Sequence, residues 1–469
     1  MVAPVNKMFR PYELNQRLLL PPDLREWLPE DHLAFCVSDV VEALDLSGIF
    51  TSYERGDGRG QPPYDPALMV KLLVYAYCTG RPSSRQIERA TYEDVAYRVL
   101  AADQHPDHSS IAGFRRRHLE ALAGLFVQVL RLCQMAGLVK LGHVALDGTK
   151  IKANASKHKA MSYGRMEAAE QRLVEEVKQL LEQAQAVDAA EDARYGKGKR
   201  GDELPAELAR RESRLRKICE AKAALEQEAQ EQATTAAAAA RAKMAERQRY
   251  EAETGRRAPG RAPVVPDPEQ AKPEPKAQRN FTDPDSRIMK DGATKSFEQA
   301  YNAQAAVDSQ AQIIVAAAVT QEANDKQQLI PMLLAVEQNV GQRPEKASAD
   351  AGFFSEANLT DQRLEGIDLY VPPDRQRHRG PVAGVSEPAP AGGTVSEQMG
   401  YKLKTPAGQA VYKLRKAIVE PVFGQIKEGR GFRRFSFRGL VQVTAEWTVM
   451  CLTHNLLKLF RARACPLGA

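Results

Sequence analysis

Three acidic residues, far apart in the chain, have the positions expected of metal ligands. Asp147 and Asp350 each end a predicted strand, and Glu420 lies on a predicted helix near the C-terminus. Divalent cations are held by hard oxygen ligands from separate elements, commonly as two ions roughly 3.5–4 Å apart. One such ion activates an attacking water or 3′-hydroxyl, and the other stabilises the leaving oxygen. The three carboxylates therefore predict metal-dependent transfer at a phosphodiester bond.

Each acid also has an ordinary structural explanation when it is taken alone. Asp147 precedes a glycine and could form a turn. Asp350 could cap the helix that is predicted to begin near Ser355, and Glu420 could be a solvated helix residue. Their joint arrangement, in the order strand, strand and helix, favours the metal site.

The segment from residue 402 to residue 438 is strongly basic. It contains ten Lys and Arg residues against two acidic ones, although the formal net charge of the whole chain is only +6. Basic residues that alternate with aromatic ones suit a phosphate backbone and exposed bases, but a charged run is also typical of a solvated face. The candidate DNA contacts in this segment are Tyr412, Arg415, Lys416, Lys427, Arg433 and Arg434.

Helical geometry relates these basic residues to Glu420. At about 100° per residue, Lys416 and Lys427 share the face of Glu420, and Arg415 is rotated about 140° away. The spacing therefore leaves open whether Arg415 or Lys416 binds phosphate. Pro421 is expected to disturb the helix at Glu420. The residues predicted to pack this helix on the core are Val411, Leu414, Ile418, Val422 and Ile426.

The first 140 residues are predicted to be helical. Asp65 and Pro66 provide an N-cap and a first-turn proline for one helix. Three short helical units follow, with predicted starts near Ser83, Thr91 and Ser109. The third unit carries Arg115, Arg116 and Arg117. A three-helix cluster with a basic last helix fits a DNA-binding unit of the helix-turn-helix type, and a helical packing or dimerisation module fits equally well.

An insertion of different composition follows residue 160. Its Ala, Glu, Gln, Lys and Arg residues and heptad-like apolar spacing predict two long helices in an antiparallel hairpin, with a turn near residues 195–201. The Pro-rich segment 258–275 is expected to be an extended, mobile linker. The predicted domains are a helical N-terminal DNA-binding domain at 1–140, a catalytic domain at 141–160 and 280–465, and the insertion with its linker at 161–279.

With the insertion set aside, the elements of the catalytic part follow the order of a ribonuclease-H-like domain. The predicted strands lie at residues 143–146, 301–307, 313–320, 346–350 and 367–371. Predicted helices follow the third, fourth and fifth strands. The expected fold class is therefore mixed α and β, with a ribonuclease-H-like mixed sheet, flanking helices, an all-α N-terminal domain and a helical-hairpin insertion.

Several classes of protein are not supported by the sequence. No stretch approaches the roughly 18 apolar residues that a membrane-spanning helix needs, and the N-terminus lacks the apolar core of a signal peptide. We therefore expect a cytoplasmic protein with no membrane partner. The six cysteines form no C-x-x-C pair, so neither a zinc site nor a disulfide framework is expected.

Four stretches of the sequence resemble one family, the DDE transposases of bacterial insertion sequences. The stretches are ALDGTKIKANAS around Asp147, YNAQAAVDSQAQIIVAAAVTQEANDKQQL from Tyr301, SADAGFFS around Asp350, and YKLRKAIVEPVFGQIK around Glu420. The resemblance runs from about residue 10 to residue 460, apart from the insertion and residues 372–400. It is closest to the group with a helical N-terminal domain and a Y-R-E-K signature, although here four residues rather than three separate Arg415 from Glu420.

The resemblance implies a ribonuclease-H-like catalytic domain with Asp147, Asp350 and Glu420 as catalytic residues and metal ligands. It implies two Mg²⁺ ions, for which Mn²⁺ could substitute, and binding of double-stranded DNA at terminal inverted repeats and at a target. A homodimer on DNA is expected, because two ends must be brought together. The expected reaction is nicking at the element ends followed by attack of the freed 3′-hydroxyl on target DNA. A related nuclease without strand transfer and a catalytically silent DNA-binding regulator are the alternatives.

Overall fold

The computed structural model describes residues 23–54, 62–195, 206–290, 295–374 and 393–464. The predicted interhelical turn beyond Tyr195 and most of the segment 372–400 lie outside these residues. Internal contacts divide the chain into two compact units. The first comprises Met1–Val139, Glu428–Arg430 and Val449–Ala469, and the second comprises Lys140–Lys427 and Gly431–Thr448. The division differs from the predicted boundaries, because the last residues of the chain group with the N-terminal helices.

The described residues of the first unit are mainly helical, as predicted for this part of the chain. Its helices before residue 140 are α1 (Leu33–Ala43), α2 (Ser47–Glu54), α3 (Pro66–Cys78), α4 (Ser84–Glu93), α5 (Val95–Leu100), α6 (His108–Arg117) and α7 (Leu119–Met135). The carboxylate of Asp65 caps α3 by accepting from the N–H groups of Ala67 and Leu68. Two predicted starts are wrong by a few residues, since Asp94 caps α5 and Asp107 caps α6. An aspartate accepts more strongly than the nearby hydroxyls and fixes the first turn.

The second unit is built on a mixed sheet. The strands of the chain are β1 (Val144–Lys152), β2 (Ala160–Ser162), β3 (Gln278–Asn280), β4 (Arg287–Lys290), β5 (Phe297–Asp308), β6 (Ile314–Thr320), β7 (Lys346–Ser348) and β8 (Asp368–Tyr370). Among the described residues, β4, β5, β1, β7 and β8 follow one another across the sheet, and β6 also pairs with β5. The β1–β5 pair is antiparallel, whereas β7 pairs with β1 and with β8 in parallel.

Strand β1 is longer than predicted, and Asp147 lies inside it rather than at its end. The ladder with β5 runs from Val144, which faces Asp308, to Lys152, which faces Ala300. Because β5 extends over twelve residues, it supplies partners for β1 well past Asp147. Asp147-Gly148 is therefore strand and not a turn.

The insertion begins and ends on a two-stranded ribbon. Strand β2 pairs antiparallel with β3, so the two chain ends that border the insertion lie side by side, as predicted. The helices between them are α8 (Tyr163–Tyr195) and α9 (Ala206–Thr254). They share an apolar cluster of Tyr163, Met166, Ala169, Leu173, Ile218, Ala221 and Leu225.

The Pro-rich segment after α9 is not the mobile linker that its composition predicted. The guanidinium of Arg247 on α9 donates to the carbonyl oxygens of Ala258 and Pro259, and Glu251 accepts from the N–H of Ala258. These bonds dock the segment on the helix. Proline restricts the backbone of the free segment, so less conformational entropy is lost when the segment docks. An extended chain can therefore follow the helix surface at a small cost in free energy.

The remaining helices flank the sheet or extend beyond it. They are α10 (Leu329–Val340), α11 (Glu356–Leu359), α12 (Val395–Lys402), α13 (Pro406–Gly424) and α14 (Leu440–Ala464). Helix α13 packs on β1, β5, β7 and β8. It continues through Pro421 and ends in a wider π-helical turn over Gln425–Gly429. No helix among the described residues is long and apolar enough to cross a membrane.

Candidate active site

The structure brings Asp147 and Asp350 together at the level where β1 and β7 stop pairing. The parallel ladder ends at Ala145 and Ser348, and each aspartate lies two residues beyond its strand's last pair. A buried hydrogen bond of 2.8 Å between His143 Nε2 and Ser348 Oγ joins the two strands just before this point. The two aspartates therefore lie next to each other, Asp147 within β1 and Asp350 in the segment that directly follows β7.

Asp350 has a second, local role. Its Oδ1 accepts from the N–H of Gly352 at 2.8 Å and caps the short 3-10 turn Ala351–Phe353. The following helix α11 is capped by Ser355 instead. The predicted alternative, that Asp350 caps a helix near Ser355, is therefore wrong, because the 3-10 turn intervenes.

Arg415 is the buried partner of Asp147. Its Nη1 lies 3.4 Å from Asp147 Oδ2, and the two side chains are only 8% and 21% exposed. The guanidinium also lies over the ring of Tyr412, 5.8 Å from its centroid. Arg415 therefore helps to hold Asp147 in place, and its guanidinium is not directed to solvent.

The electrostatics of the site centre on Asp147. Burial raises the pKa of Asp147 to about 6, Arg415 opposes this change, and the negative charges of Asp350 and Asp325 add to it. The pKa of Lys150 is lowered by burial, against the attraction of the same three aspartates. Both shifts follow mainly from burial, which disfavours the charged form of each group; the neighbouring carboxylates add to the shift of Asp147 and oppose that of Lys150.

Glu420 is not brought together with the two aspartates. It lies on the exposed side of α13, while Arg415, Ile418 and Val422 are on the buried side. The predicted apolar face of this helix is wrong at Leu414, which is 53% exposed. The helix is rotated so that Arg415 reaches Asp147, and this rotation moves Glu420 and Lys416 towards solvent.

Asp325 is an acid of the site that the sequence did not reveal. It lies in the loop between β6 and α10, and its Oδ1 accepts from Asn302 Nδ2 and Gln304 Nε2, both at 2.6 Å. The available signal was the pair Asn302 and Gln304, two polar residues that alternate within the otherwise apolar strand β5. Polar side chains buried in a central strand need partners, and Asp325 is that partner here.

The donor set of this site suits a divalent cation in its chemistry. Carboxylate oxygens of Asp147 and Asp350 are hard ligands, and their mutual repulsion would be relieved by a bound positive charge. Among the described residues, however, no three His, Cys, Asp or Glu side chains are close enough, as placed, to hold a metal ion. The residues fit a cation as a pair of aspartates, with Glu420 outside the group.

The predicted DNA contacts of the basic segment fall into two groups. Lys416, Arg433 and Arg434 are exposed, which suits contact with phosphates. Lys427 donates instead to the carbonyl oxygen of Lys150 at 2.9 Å. Tyr412 is part-buried beside Arg415. The structure therefore makes Lys416, rather than Arg415, the better candidate for phosphate.

The aromatic residues of the same segment are mostly core residues. Phe432 and Phe435 are buried and stand edge to face, with ring centroids 5.5 Å apart. Phe432 also stacks on the buried Trp447, and Phe435 contacts Tyr301. The alternation of basic and aromatic residues thus reflects an extended segment with one buried and one exposed side. Phe432 and Phe435 are not placed to stack on bases.

The three arginines at the end of α6 differ in their environment. Arg115 is part-buried and donates to the carbonyl oxygen of Pro82 at 2.6 Å. Arg116 and Arg117 are exposed at the C-terminal end of the helix. Positive charge is favourable at that end of a helix dipole. Arg115 thus has a structural role in the helical unit, and the DNA contact predicted for Arg116 and Arg117 stays a prediction.

Comparison with known families gives two matches. Residues 22–117 match the model of a transposase domain, DUF772, and residues 270–456 match the model of the transposase DDE domain. The second match includes Asp350 and Glu420 and begins after Asp147. No curated protein matches the chain, and no solved structure matches it.

Proposed function

We propose that the chain is a DDE transposase of an insertion sequence, which nicks DNA at the ends of a mobile element and joins the freed 3′-hydroxyls to target DNA. The matches of residues 22–117 and 270–456 to transposase domain models support this proposal. The observation that carries the proposal is the position of Asp147 within β1 and of Asp350 just after β7, each two residues beyond the last pair of the parallel ladder. Two carboxylates at the end of such a pair can share a cation that contacts a scissile phosphate.

The sheet supports a ribonuclease-H-like fold for this domain. With β2, β3 and β4 set aside, the order across the sheet is β6, β5, β1, β7 and β8. Strand β5 is antiparallel to its neighbours β6 and β1, and the last three strands, β1, β7 and β8, are parallel. A ribonuclease-H-like sheet has the same order and directions, with its ligands at the end of the central strand and of the parallel strand beside it.

In the proposed reaction, two Mg²⁺ ions, or Mn²⁺ in their place, supply the Lewis acidity that activates the nucleophile and stabilises the leaving oxygen. Asp147 and Asp350 would hold the metal, and Glu420 is proposed as the third acid of the family signature. Arg415 orients Asp147 from the buried side. The exposed Lys416, Arg433 and Arg434 would neutralise phosphates of double-stranded DNA.

A strand-transfer assay with DNA that carries the terminal repeats of the element tests this function. The wild type should release 3′-hydroxyl ends and join them to a target, and a dimer on paired ends is expected. Asp147→Asn, Asp350→Asn and Glu420→Gln should abolish cleavage and leave end binding nearly intact, because metal ligation needs ionised oxygens. The matched control is Glu356→Gln, which removes an exposed carboxylate of α11 near Asp350 and should leave cleavage unchanged.

The other outcomes are equally informative. Cleavage by the wild type without joining would reduce the protein to a nuclease. End binding without cleavage or joining would make it a DNA-binding regulator. Cleavage by one of the three variants at the wild-type rate would remove that residue from the metal site.

A further inference from the structure

Asp325 is held by buried side chains rather than by the surface loop that carries it. The amide groups of Asn302 and Gln304 both donate to its Oδ1, and these two residues are 0% and 1% exposed. Asn302 and Gln304 face Lys150 and Gly148 across the β1–β5 ladder. Strand β5 thus fixes one oxygen of Asp325 beside β1, next to Asp147.

Two glycines allow this carboxylate to approach the aspartates. A Cβ atom on Gly148 would lie 2.6 Å from Asp325 Oδ1 and 2.4 Å from Gln304 Nε2, closer than real Cβ atoms come. A Cβ atom on Gly352 would lie 2.9 Å from Asp350 Oδ1 and 3.4 Å from Asp325 Oδ2. The second oxygen of Asp325 and an oxygen of Asp350 therefore border one small space above Gly352.

The same region contains buried acceptors without donors. Asn302 Oδ1 and Gln304 Oε1 are buried and have no hydrogen-bond partner in the structure. Asn302 Oδ1 lies 2.9 Å from the Cβ position of Gly148, the position that is also next to Asp325 Oδ1. Buried carbonyl oxygens are normally paired, and an oxygen-lined space beside three carboxylates matches the donors that a hard cation or its water shell prefers.

We propose that Asp325 is a further metal-ligating residue of the active site. Its Oδ2, which borders the space above Gly352 together with Asp350, would bind the metal once the acids close on it, since no three of them among the described residues hold a metal ion as placed. The inference rests on the proposed function, because it concerns the same metal. Oδ1 of Asp325 is occupied by two amide donors, so Oδ2 is the oxygen available for ligation. Asn302 and Gln304 orient that oxygen from behind, as hydrogen-bonded neighbours of metal ligands commonly do.

The test measures Mn²⁺ binding to the full-length protein by isothermal titration calorimetry in the absence of DNA. Asp325→Asn keeps an oxygen for the two amides and removes the charge at Oδ2. It should weaken Mn²⁺ binding at least about tenfold. Glu322→Gln is the matched control, because it removes an exposed carboxylate from the same loop. It should change binding less than about twofold, since an exposed charge is screened.

A third variant separates failure of this inference from failure of the proposed function. If Asp147→Asn loses Mn²⁺ binding while Asp325→Asn binds as the wild type does, Asp325 is not a ligand and the proposed function stands. If Asp147→Asn also binds as the wild type does, the metal assignment of the proposed function fails. A loss in Asp325→Asn equal to that in Glu322→Gln overturns the inference as well.

A second measurement does not depend on the folding of any variant. Crystals of the wild type soaked in Mn²⁺ would show the ion by its anomalous scattering. A peak at coordination distance from Asp325 Oδ2 is the expected result. A peak bound by Asp147 or Asp350 and separated from Asp325 by a water layer would overturn the assignment.

Discussion

Replacing Asp147 by asparagine is expected to stabilise the fold at neutral pH, although it removes a proposed metal ligand. Burial, with contributions from Asp350 and Asp325, raises the pKa of Asp147 from 3.8 to about 6 even though Arg415 opposes the change. The folded-state pKa thus lies about two pH units above the ordinary value. Each unit corresponds to about 1.36 kcal/mol, so ionisation of Asp147 costs the folded state roughly 3 kcal/mol.

The sign of the pH dependence follows from this difference. A carboxyl group whose pKa is raised by folding stabilises the fold below its ordinary pKa, and the contribution is lost as the pH rises through the folded-state value. The wild type should therefore lose up to roughly 3 kcal/mol between about pH 4 and pH 7 through Asp147 alone. Asparagine does not ionise, so the variant should differ little from the wild type at pH 4 and be more stable at pH 8.

The two tryptophans of the chain allow the measurement to be confined to the unit that contains Asp147. Trp447 is fully buried there, and Trp27 is 49% exposed. In a Trp27→Phe background, urea unfolding followed by Trp447 fluorescence at several pH values gives the free energy of unfolding. A constant dependence on urea concentration would show that the transition itself is unchanged.

A control of opposite sign is available on the surface. Hydrogen bonds from Arg363 lower the pKa of Asp361 to about 2, so Asp361→Asn should reduce stability at neutral pH and not at low pH. A stability difference between Asp147→Asn and the wild type that stays constant from pH 4 to pH 8 would refute the reasoning. So would a variant that is less stable than the wild type at pH 8.

Two further predictions concern the basic segment and the insertion. Alanine at Lys416, Arg433 or Arg434 should in each case reduce the slope of log affinity for DNA against log salt concentration by about one unit, whatever the DNA sequence. An unchanged slope in all three variants would show that these residues belong to an ordinary solvated surface. Replacing residues 163–276 by a short Gly/Ser linker should leave a soluble protein with cooperative unfolding by Trp447 fluorescence, because β2 and β3 still pair. An insoluble or molten product would show that the insertion completes the core.

The second of these predictions uses boundaries that the structure revised. Phe281 and Met161 pack against the apolar cluster of the helical hairpin, and Arg279 and Arg287 both donate to Glu228 on α9. Both the predicted cut at 161–279 and the shorter cut at 163–276 remove these contacts, and the longer cut also removes most of the β2–β3 ribbon. The unfolding midpoint of the shorter deletion should therefore be lower than that of the full chain, even where the sheet folds.

Much of the architecture is readable from the sequence because its signals are local. The apolar run before Asp147 and the alanine-rich stretch after Tyr301 indicate strands, and the structure pairs them antiparallel. Heptad spacing around Leu173 and Leu225 indicates the hairpin, and both residues lie in its apolar cluster. Periodicity reports which residues share a face, and burial of that face follows.

The rotation of α13 was not readable in the same way. Leu414 and Arg415 are adjacent in the sequence, and the apolar periodicity of the helix predicted that Leu414 packs on the core. In the fold, Arg415 is 7% exposed and Leu414 is 53% exposed. The difference depends on Asp147, which lies 268 positions earlier in the chain and makes burial of a guanidinium tolerable. No local pattern reports a partner at that separation.

The same long-range pairing explains how so many carboxylates can share one region of the fold. Asp147 has Arg415 as a counter-charge, Asp325 has two amide donors, and Asp350 accepts from a backbone N–H. These partners are on the chain itself, so the site can form before a cation binds. They also compete with it, because Arg415 contacts an oxygen that a metal would need. Metal binding at Asp147 is therefore expected to displace or share the guanidinium, and Asp325, whose second oxygen is not held by the amides, provides a carboxylate that can bind without such an exchange.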